Sequence, residues 1–298
     1  MLIGDYPFYV DDYRRYVEQV LALHPGLTHV RARLQLEHTL VMVGGRDSAG
    51  AQPGAVPSPD GGNYLVRLDD FRRFDDADLV IDYSLPNIHN VRTSLQFAEI
   101  AEKLLYVPPL LFAYSASPRA KHPLVTMFIR PGEPRRKSLL KSLKTQRRAA
   151  HPIAQLLGRT IGQGRSGRQP APMPTPRCRN VTGCWGDDLR KLLLGTRILV
   201  NVHQTDHHHT LEELRVLPAL LSGVIVISED IPCRELVPYH EYIVWTDYAS
   251  LSSTVAHVHS NYDTYFESFF GPRSDLPGVL DGMRRRTHDE LIARELHA

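Results

Sequence analysis

Residues 198–229 contain the side chains best suited to bind an anion. An apolar run of strand length leads into polar residues, a helix-period stretch, Gly223 and a second apolar run. In a parallel α/β sheet, the loop after a strand lies at the ligand crevice, and the next helix directs its positive N-terminus there. The segment therefore predicts a diphosphate site. Its candidate ligands are His203, Gln204, His207, His208, Thr210, Arg215, Ser228 and Glu229.

Glu213 has two interpretations. It either contacts the same ligand or closes a capping box with Thr210, in which each side chain accepts a hydrogen bond from a free backbone N–H group. We favour the capping box. Pro218, in the interior of the same helix, removes one backbone hydrogen bond and predicts a kink.

A second basic group opens another predicted helix. Arg135 and Arg136 follow directly after Pro134, beyond the predicted strand 124–129. Arginine binds phosphate through two parallel N–H groups, and a position at the carboxyl end of a strand faces the crevice. We therefore expect Arg135 or Arg136 to contact the same diphosphate, and the lysines later in the helix to be solvated.

The consecutive histidines 207–209 raise the question of a metal site. Consecutive residues cannot all point at one ion, and neither a His-Glu-x-x-His nor a Cys-x-x-Cys spacing accompanies them. We therefore expect no metal ligand and interpret the histidines as neutral hydrogen-bond donors. A metal-dependent hydrolase centred on residues 203–209 is the alternative.

The elements that must position these residues follow an α/β pattern. Apolar runs of strand length alternate with helix-period stretches, which favours parallel strands covered by helices. We predict an N-terminal domain over 1–118, a second domain over 119–272 with a flexible insertion at about 149–176, and a helical tail over 273–298.

Composition indicates an ordinary globular protein, because 42% of the 298 residues are hydrophobic, 23% are charged and the formal net charge is +2. The charge is distributed unevenly along the chain. The segment from Arg119 to Arg168 contains 13 of the 35 Lys and Arg residues but only one of the 33 acidic residues.

The longest apolar stretch, 104–114, contains two prolines and is too short for a membrane span. With three cysteines and no secretory signal, we expect a cytoplasmic protein.

Four segments carry a family resemblance. They are 214–229 (Leu-Arg-Val-Leu-Pro-Ala-Leu-Leu-Ser-Gly-Val-Ile-Val-Ile-Ser-Glu), 234–238 (Arg-Glu-Leu-Val-Pro), 242–248 and 262–266. Residues 124–270 thereby resemble the C-terminal half of glycosyltransferases with the GT-B fold, especially spore-maturation-type and other family-1-like enzymes. The resemblance implies two Rossmann-like domains facing each other across a cleft, with a reduced N-terminal domain. Arg215, eight residues before Gly223, matches a basic residue that contacts the diphosphate of the nucleotide sugar in such enzymes.

The resemblance implies an enzyme that moves a sugar from a nucleotide-diphosphate sugar to an acceptor hydroxyl, without a metal ion or other cofactor. The acceptor is a glycan, a lipid, a protein or a small molecule. Pro218 stands where many retaining members have a glutamate that holds the ribose, so that contact and the stereochemical outcome do not carry over. Glu235 either contacts the nucleotide sugar or fixes the turn before Pro238.

An inverting transfer also needs a general base on the acceptor side. Asp82 and His89 are the candidate catalytic residues, because they lie on either side of residues 83–87, in or next to a segment, 77–87, that resembles a strand and loop of the acceptor domain. The other interpretation of Asp82 is that it caps a turn.

A nucleic-acid-binding protein that uses the basic segment 119–168 is a further alternative. Phe128 is the only aromatic residue in that segment. Little base stacking is therefore available, and nucleic acid is not the expected partner.

Overall fold

The structure, a computed structural model, describes the chain in segments. These are residues 2–3, 19, 22–23, 32–34, 38–42, 55–57, 63–68, 77–93, 98–117, 121–128, 134–144, 177–203 and 211–295. The described residues form two compact units. One unit contains those up to Pro108 and those from Gly282 onward, and the other contains those from Pro109 to Asp281.

The first unit contains a parallel and an antiparallel sheet. Its strands are β1 (Leu2–Ile3), β2 (Ala32–Leu34), β3 (His38–Met42), β4 (Ala55–Pro57), β5 (Asn63–Leu68), β6 (Leu79–Asp82) and β7 (Leu104–Tyr106). The order of the parallel sheet is β1-β2-β6-β7, and that of the antiparallel sheet is β3-β5-β4. Two helices, α1 (Leu85–Thr93) and α2 (Ala98–Ala101), lie between β6 and β7.

The second unit is built on one parallel sheet. Its strands are β8 (His122–Phe128), β9 (Arg177–Val181), β10 (Thr196–Asn201), β11 (Ile225–Glu229) and β12 (Ile243–Thr246). They lie in the order β12-β11-β10-β8-β9. The chain thus adds β9 on one side of β8 and β10, β11 and β12 on the other. The winding direction reverses between β8 and β10, which makes this pair the topological switch point of the sheet.

Helices connect these strands and continue beyond them. They are α3 (residues 134–144), α4 (Gly186–Leu194), α5 (Glu213–Leu221), α6 (Leu251–Ser260), α7 (Tyr262–Phe270) and α8 (Leu276–Glu295), of which α8 belongs to the first unit from Gly282 onward. The residues from 216 to 229, which include most of α5 and all of β11, are all buried. This matches an apolar run whose strand is covered on both faces.

The two parallel sheets with their helices confirm the α/β class that the sequence predicts. Sequence reasoning missed β9, because residues 177–181 have no continuous apolar run, and it missed α4 although Leu189, Leu192 and Leu193 have the i, i+3, i+4 spacing of an amphipathic helix. Two of the five β9 residues are arginines on the exposed edge of the sheet, where burial leaves no pattern in the sequence. None of the described helices combines the length and the apolar character that a membrane crossing requires.

Candidate anion site

The switch point of the second sheet lies between Phe128, the last residue of β8, and Asn201, the last residue of β10. In open α/β sheets, ligands bind outside the carboxyl ends of the strands at this point. The first turn of α3, which follows β8, contributes Arg135 and Arg136, and β10 runs directly into Val202. The start of α3 and the end of β10 therefore form the two sides of the candidate site.

Arg135 is held on three sides. Its two terminal guanidinium nitrogens each lie 2.6 Å from a carboxylate oxygen of Glu229, in a bidentate pair. Nη1 also donates to the backbone carbonyl of His203 at 3.3 Å. The guanidinium carbon lies 3.9 Å from the ring centre of Tyr248, whose hydroxyl donates to the Arg135 carbonyl at 2.8 Å. Stacking and hydrogen bonds together fix the plane of this guanidinium group.

Arg136 crosses the switch point below the surface. Only 2% of the residue is exposed, and Nε donates to the carbonyl of Val202 at 2.9 Å. One terminal nitrogen lies 3.7 Å from Oε1 of Glu212. A buried guanidinium group needs such partners, because burying an unpaired charge is costly. Arg136 thereby ties the start of α3 to the end of β10.

Glu229 brings the end of β11 to the same point. The residue is 5% exposed, and its Oε2 accepts a hydrogen bond from the backbone N–H of His203 at 2.7 Å in addition to its bonds with Arg135. Nδ1 of the buried His203 lies 3.9 Å from the same oxygen. The hydroxyl of Ser228 accepts a hydrogen bond from Nδ2 of Asn201 at 3.0 Å and donates to the carbonyl of Glu229. Strands β10 and β11 are therefore joined by side chains at their carboxyl ends.

The first turn of α5 supplies a third arginine. Nη1 of Arg215 lies 3.5 Å from Oε1 of Glu212, and 31% of the Arg215 side chain is exposed. Glu212 also faces Arg136, so one carboxylate lies between two guanidinium groups. Glu212 is itself 37% exposed in its side chain, which leaves this pair open to solvent.

The capping box between Thr210 and Glu213 was the wrong interpretation of Glu213. The N-cap residue of α5 is Glu212, and among the described residues no side chain caps this helix. Glu213 is 1% exposed, and its Oε2 accepts a hydrogen bond from the hydroxyl of the buried Tyr239 at 2.7 Å. A carboxylate in the first turn can face inward when a buried hydroxyl satisfies it. Thr210 lies outside the described residues.

We call Arg135, Arg136 and Arg215 the arginine cluster. Each member has a glutamate partner, Glu229 for the first and Glu212 for the other two. The structure thus brings the predicted arginines together at the end of the sheet but neutralises them with carboxylates. Because phosphate oxygens take the same positions on a guanidinium group as carboxylate oxygens, such pairs can exchange one anion for another.

The other residues predicted around this site have different outcomes. Glu235 lies exposed on a single turn, Arg234–Leu236, which follows the left-handed backbone of Cys233 at φ 56°. The remaining candidates lie outside the described residues. They are Gln204, His207, His208 and Thr210.

Asp82 and His89, the predicted catalytic pair, lie in the first unit. Asp82 ends β6 and is completely buried. Oδ1 accepts a hydrogen bond from the backbone N–H of Ser84 at 2.8 Å, and Oδ2 accepts one from Nδ2 of Asn87 at 2.6 Å. These contacts fix the turn into α1. His89 lies half-buried within α1, one helical turn after its first residue, Leu85.

The histidines at 207–209 are the residues from which the sequence raised the question of a metal site. Within the segments that the structure describes, no group of three or more His, Cys, Asp or Glu residues is placed to hold a metal ion. The histidines themselves lie outside those segments.

Sequence reasoning missed three residues of the site, Glu212, Tyr239 and Tyr248. Glu212 had a signal, since an acidic residue one helical turn before Arg215 favours an ion pair. The two tyrosines had none, because each contacts a residue more than 20 positions away, Glu213 in one case and Arg135 in the other.

No family model matches the chain. An uncharacterized protein of Acanthamoeba polyphaga mimivirus is 35% identical over 78 residues, which are 25% of this chain and 28% of that protein. The match therefore spans little more than a quarter of the relative.

Three solved structures are similar to the chain. An α1,3-fucosyltransferase with GDP-fucose has a TM-score of 0.43 and 8% identity, with 96% of this chain and 89% of that chain covered. WaaG, a glycosyltransferase involved in lipopolysaccharide biosynthesis, has a TM-score of 0.39 and 10% identity, with coverages of 93% and 81%. The GtfA/B complex bound to UDP and GlcNAc has a TM-score of 0.32 and 11% identity, with coverages of 96% and 53%. At these identities the likeness concerns the fold.

Proposed function

We propose that the protein is a glycosyltransferase that takes a sugar from a nucleotide-diphosphate sugar and transfers it to an acceptor hydroxyl. One observation carries the proposal: the arginine cluster converges on the switch point of a parallel sheet. This is the place where α/β sheets bind ligands, and guanidinium groups are the side chains best suited to a diphosphate. The GT-B resemblance of residues 214–229 supports the same ligand.

The chemistry explains why such a cluster is useful. When the bond between the sugar and the diphosphate breaks, negative charge develops on the outer phosphate oxygen. Fixed positive groups stabilise that charge without reorganising; Arg135 and Arg136 are fixed by the contacts described above, and Arg215 adds a partly exposed positive charge. The backbone N–H of His203 lies beside Arg135 as a further donor for an oxyanion. In this proposal the arginines take the place of a metal ion.

The predicted residues outside the described segments belong to the same proposal. Gln204, His207, His208 and Thr210 stand between His203 and α5 in the sequence. Ser228 and Glu229 lie at the adjacent strand end, and Glu235 follows in the next turn. We propose that these residues contact the nucleotide sugar, except Ser228, which is 0% exposed and supports the strand end through Asn201 and the Glu229 carbonyl.

For an inverting transfer, we propose His89 as the general base. Both carboxylate oxygens of Asp82 already accept hydrogen bonds, and no part of the residue is exposed. His89 is half-buried and has surface from which to accept a proton. Asp82 then supports the turn that carries α1. Replacing His89 by Gln should lower transfer more than it lowers binding of the nucleotide sugar.

The experiment that tests the function is a thermal-shift panel of UDP-, GDP-, ADP- and TDP-sugars. A ligand that binds only the folded protein raises its melting temperature by mass action. We expect at least one nucleotide sugar to raise it and to be consumed with an acceptor, also in the presence of a chelator. Arg215→Met should reduce both effects, whereas Lys144→Met, which changes an exposed lysine at the end of α3, should change neither. No shift with any nucleotide sugar would reject the proposal.

A further inference from the structure

The carboxylate of Glu229 occupies the set of hydrogen-bond donors that a phosphate would use. It receives both terminal nitrogens of Arg135 at 2.6 Å and the backbone N–H of His203 at 2.7 Å. A guanidinium fork beside a backbone amide at a strand end is a typical oxyanion site. Glu229 thus stands in this structure where an anionic ligand would bind.

The donors of this site are held by contacts other than those with Glu229, although one of them, Arg135, is itself a side chain. The ring of Tyr248 lies under the Arg135 guanidinium, and the amide of His203 belongs to the backbone. Glu229 reaches the donors through rotatable side-chain bonds from the last residue of β11. Of the groups in contact, the Glu229 carboxylate can therefore leave with the least disturbance.

We propose that Glu229 is a displaceable internal anion, which holds the Arg135 fork until the diphosphate of the substrate takes its place. That the diphosphate belongs to a nucleotide sugar rests on the proposed function. The exchange of the Glu229 carboxylate for a diphosphate does not depend on that function. The Arg135 side chain is only 14% exposed, so leaving its charge without a partner would be costly, and a resident carboxylate keeps the site formed. The diphosphate then has to compete with it.

The competition makes Glu229 a residue that determines specificity. A monovalent anion such as acetate carries no more charge than the carboxylate it would replace. Pyrophosphate carries more charge and presents oxygens on two phosphoryl groups, so it competes better for the guanidinium fork of Arg135. The site should therefore select a diphosphate over phosphate and over simple carboxylates.

Calorimetric titration with inorganic pyrophosphate tests the exchange. Glu229→Gln keeps the shape and removes the competing charge, so we expect pyrophosphate to bind about tenfold more tightly than to the wild type and to lose part of its preference over phosphate. Glu241→Gln, which removes an exposed charge elsewhere in the second unit, is the matched control and should bind as the wild type does. Unchanged or weaker binding to Glu229→Gln would show that Glu229 only positions Arg135, and would overturn the proposal.

Glu229→Asp provides a second variant if the glutamine variant does not fold. Its carboxylate is one methylene further from the guanidinium group, so pyrophosphate should again bind severalfold more tightly; equal or weaker binding contradicts the exchange. The same variants separate the two proposals. Tighter pyrophosphate binding, with no melting shift from any nucleotide sugar, would leave the exchange intact and reject the glycosyltransferase. If a nucleotide sugar binds but neither substitution changes the binding of pyrophosphate, the glycosyltransferase proposal stands and the exchange is rejected.

Discussion

Each end of the second sheet holds a cation that has little exposed surface, but the two ends hold it in different ways. At the carboxyl end, Arg135 is paired with the side-chain carboxylate of Glu229. At the amino end, Lys121, which is 6% exposed, donates to backbone carbonyls alone. These carbonyls, all within 3.3 Å of Nζ, belong to Leu193, Leu194, Thr196 and Ser222.

The difference separates a replaceable partner from a permanent one. The carbonyls around Lys121 come from the end of α4, the start of β10 and the residue after α5, where helix dipoles favour a cation. No ligand can take their place without unfolding those elements. A carboxylate side chain can rotate away. The amino end of the sheet is thus built for stability and the carboxyl end for exchange. Helix α5 reaches both, because Arg215 lies in its first turn and Ser222 follows its last residue.

The largest effect should come from Lys121→Met. The substitution leaves several buried carbonyl oxygens without their donor, so we expect the free energy of unfolding to fall by about 3 kcal/mol. Chemical denaturation measures the loss, with Lys191→Met, an exposed lysine of α4, as the control. A loss below about 1 kcal/mol would mean that the carbonyl cage contributes little and that the two ends do not differ as described.

The pH dependence of stability sharpens the same contrast. Burial lowers the pKa of Lys121 from 10.5 to about 8. Between these values the unfolded chain keeps a proton that the folded chain has lost, so this residue makes stability rise with pH. Relative to Lys121→Met, the wild type should gain about 2 kcal/mol from pH 7 to pH 10 in urea unfolding. A relative loss over that range would show that the carbonyl dipoles hold the charged form more strongly than burial disfavours it.

At the carboxyl end, Arg135→Lys should impair binding more than stability. Lysine keeps the charge but cannot present two parallel N–H groups to a diphosphate. We expect about tenfold weaker pyrophosphate binding, about 1.4 kcal/mol, measured by calorimetry. The change in unfolding free energy should be smaller than that. If stability falls and pyrophosphate affinity does not, Arg135 is a structural residue like Lys121.

The smallest effect should come from Tyr248→Phe. The variant keeps the ring under the Arg135 guanidinium but loses the hydroxyl that donates to the Arg135 carbonyl. We expect about 1 kcal/mol of lost stability and about a twofold change in pyrophosphate affinity. Tyr248→Leu, which also removes the ring, should weaken pyrophosphate binding further. Equal binding by both variants would show that the ring does not hold the guanidinium plane.

The sequence predicted the elements of the second unit well where a buried strand or helix requires a local run or spacing of apolar residues. The run 224–228 predicted β11, and the strand predicted over 124–129 appears as His122–Phe128. The position of Arg135 and Arg136 beyond the end of a strand could be predicted, because following a strand is a local relation. The interpretation of Glu213 was wrong because its partner, Tyr239, lies 26 residues away and leaves no mark in the helix itself.

Lys121 shows the limit of charge counting. Lys121 lies within the basic segment 119–168. From its excess of positive charge, this segment would be expected to form a surface that attracts anions. The structure buries Lys121 among carbonyls from residues 72 to 101 positions away. The net charge of a segment predicts how it behaves when its side chains are solvated. It does not show which of those side chains become buried when the protein folds.

The sequence by itself determined the α/β class, the alternation of strands and helices around the site, and the arginines at the start of α3 and α5. Hydrophobic periodicity and the position of a residue after a strand are local properties, so they are readable along the chain. Only the tertiary structure decided which cations are paired with carboxylates and which with carbonyls. Those partners meet through the order of strands in the sheet, and the strand order arises from contacts between residues far apart in the chain.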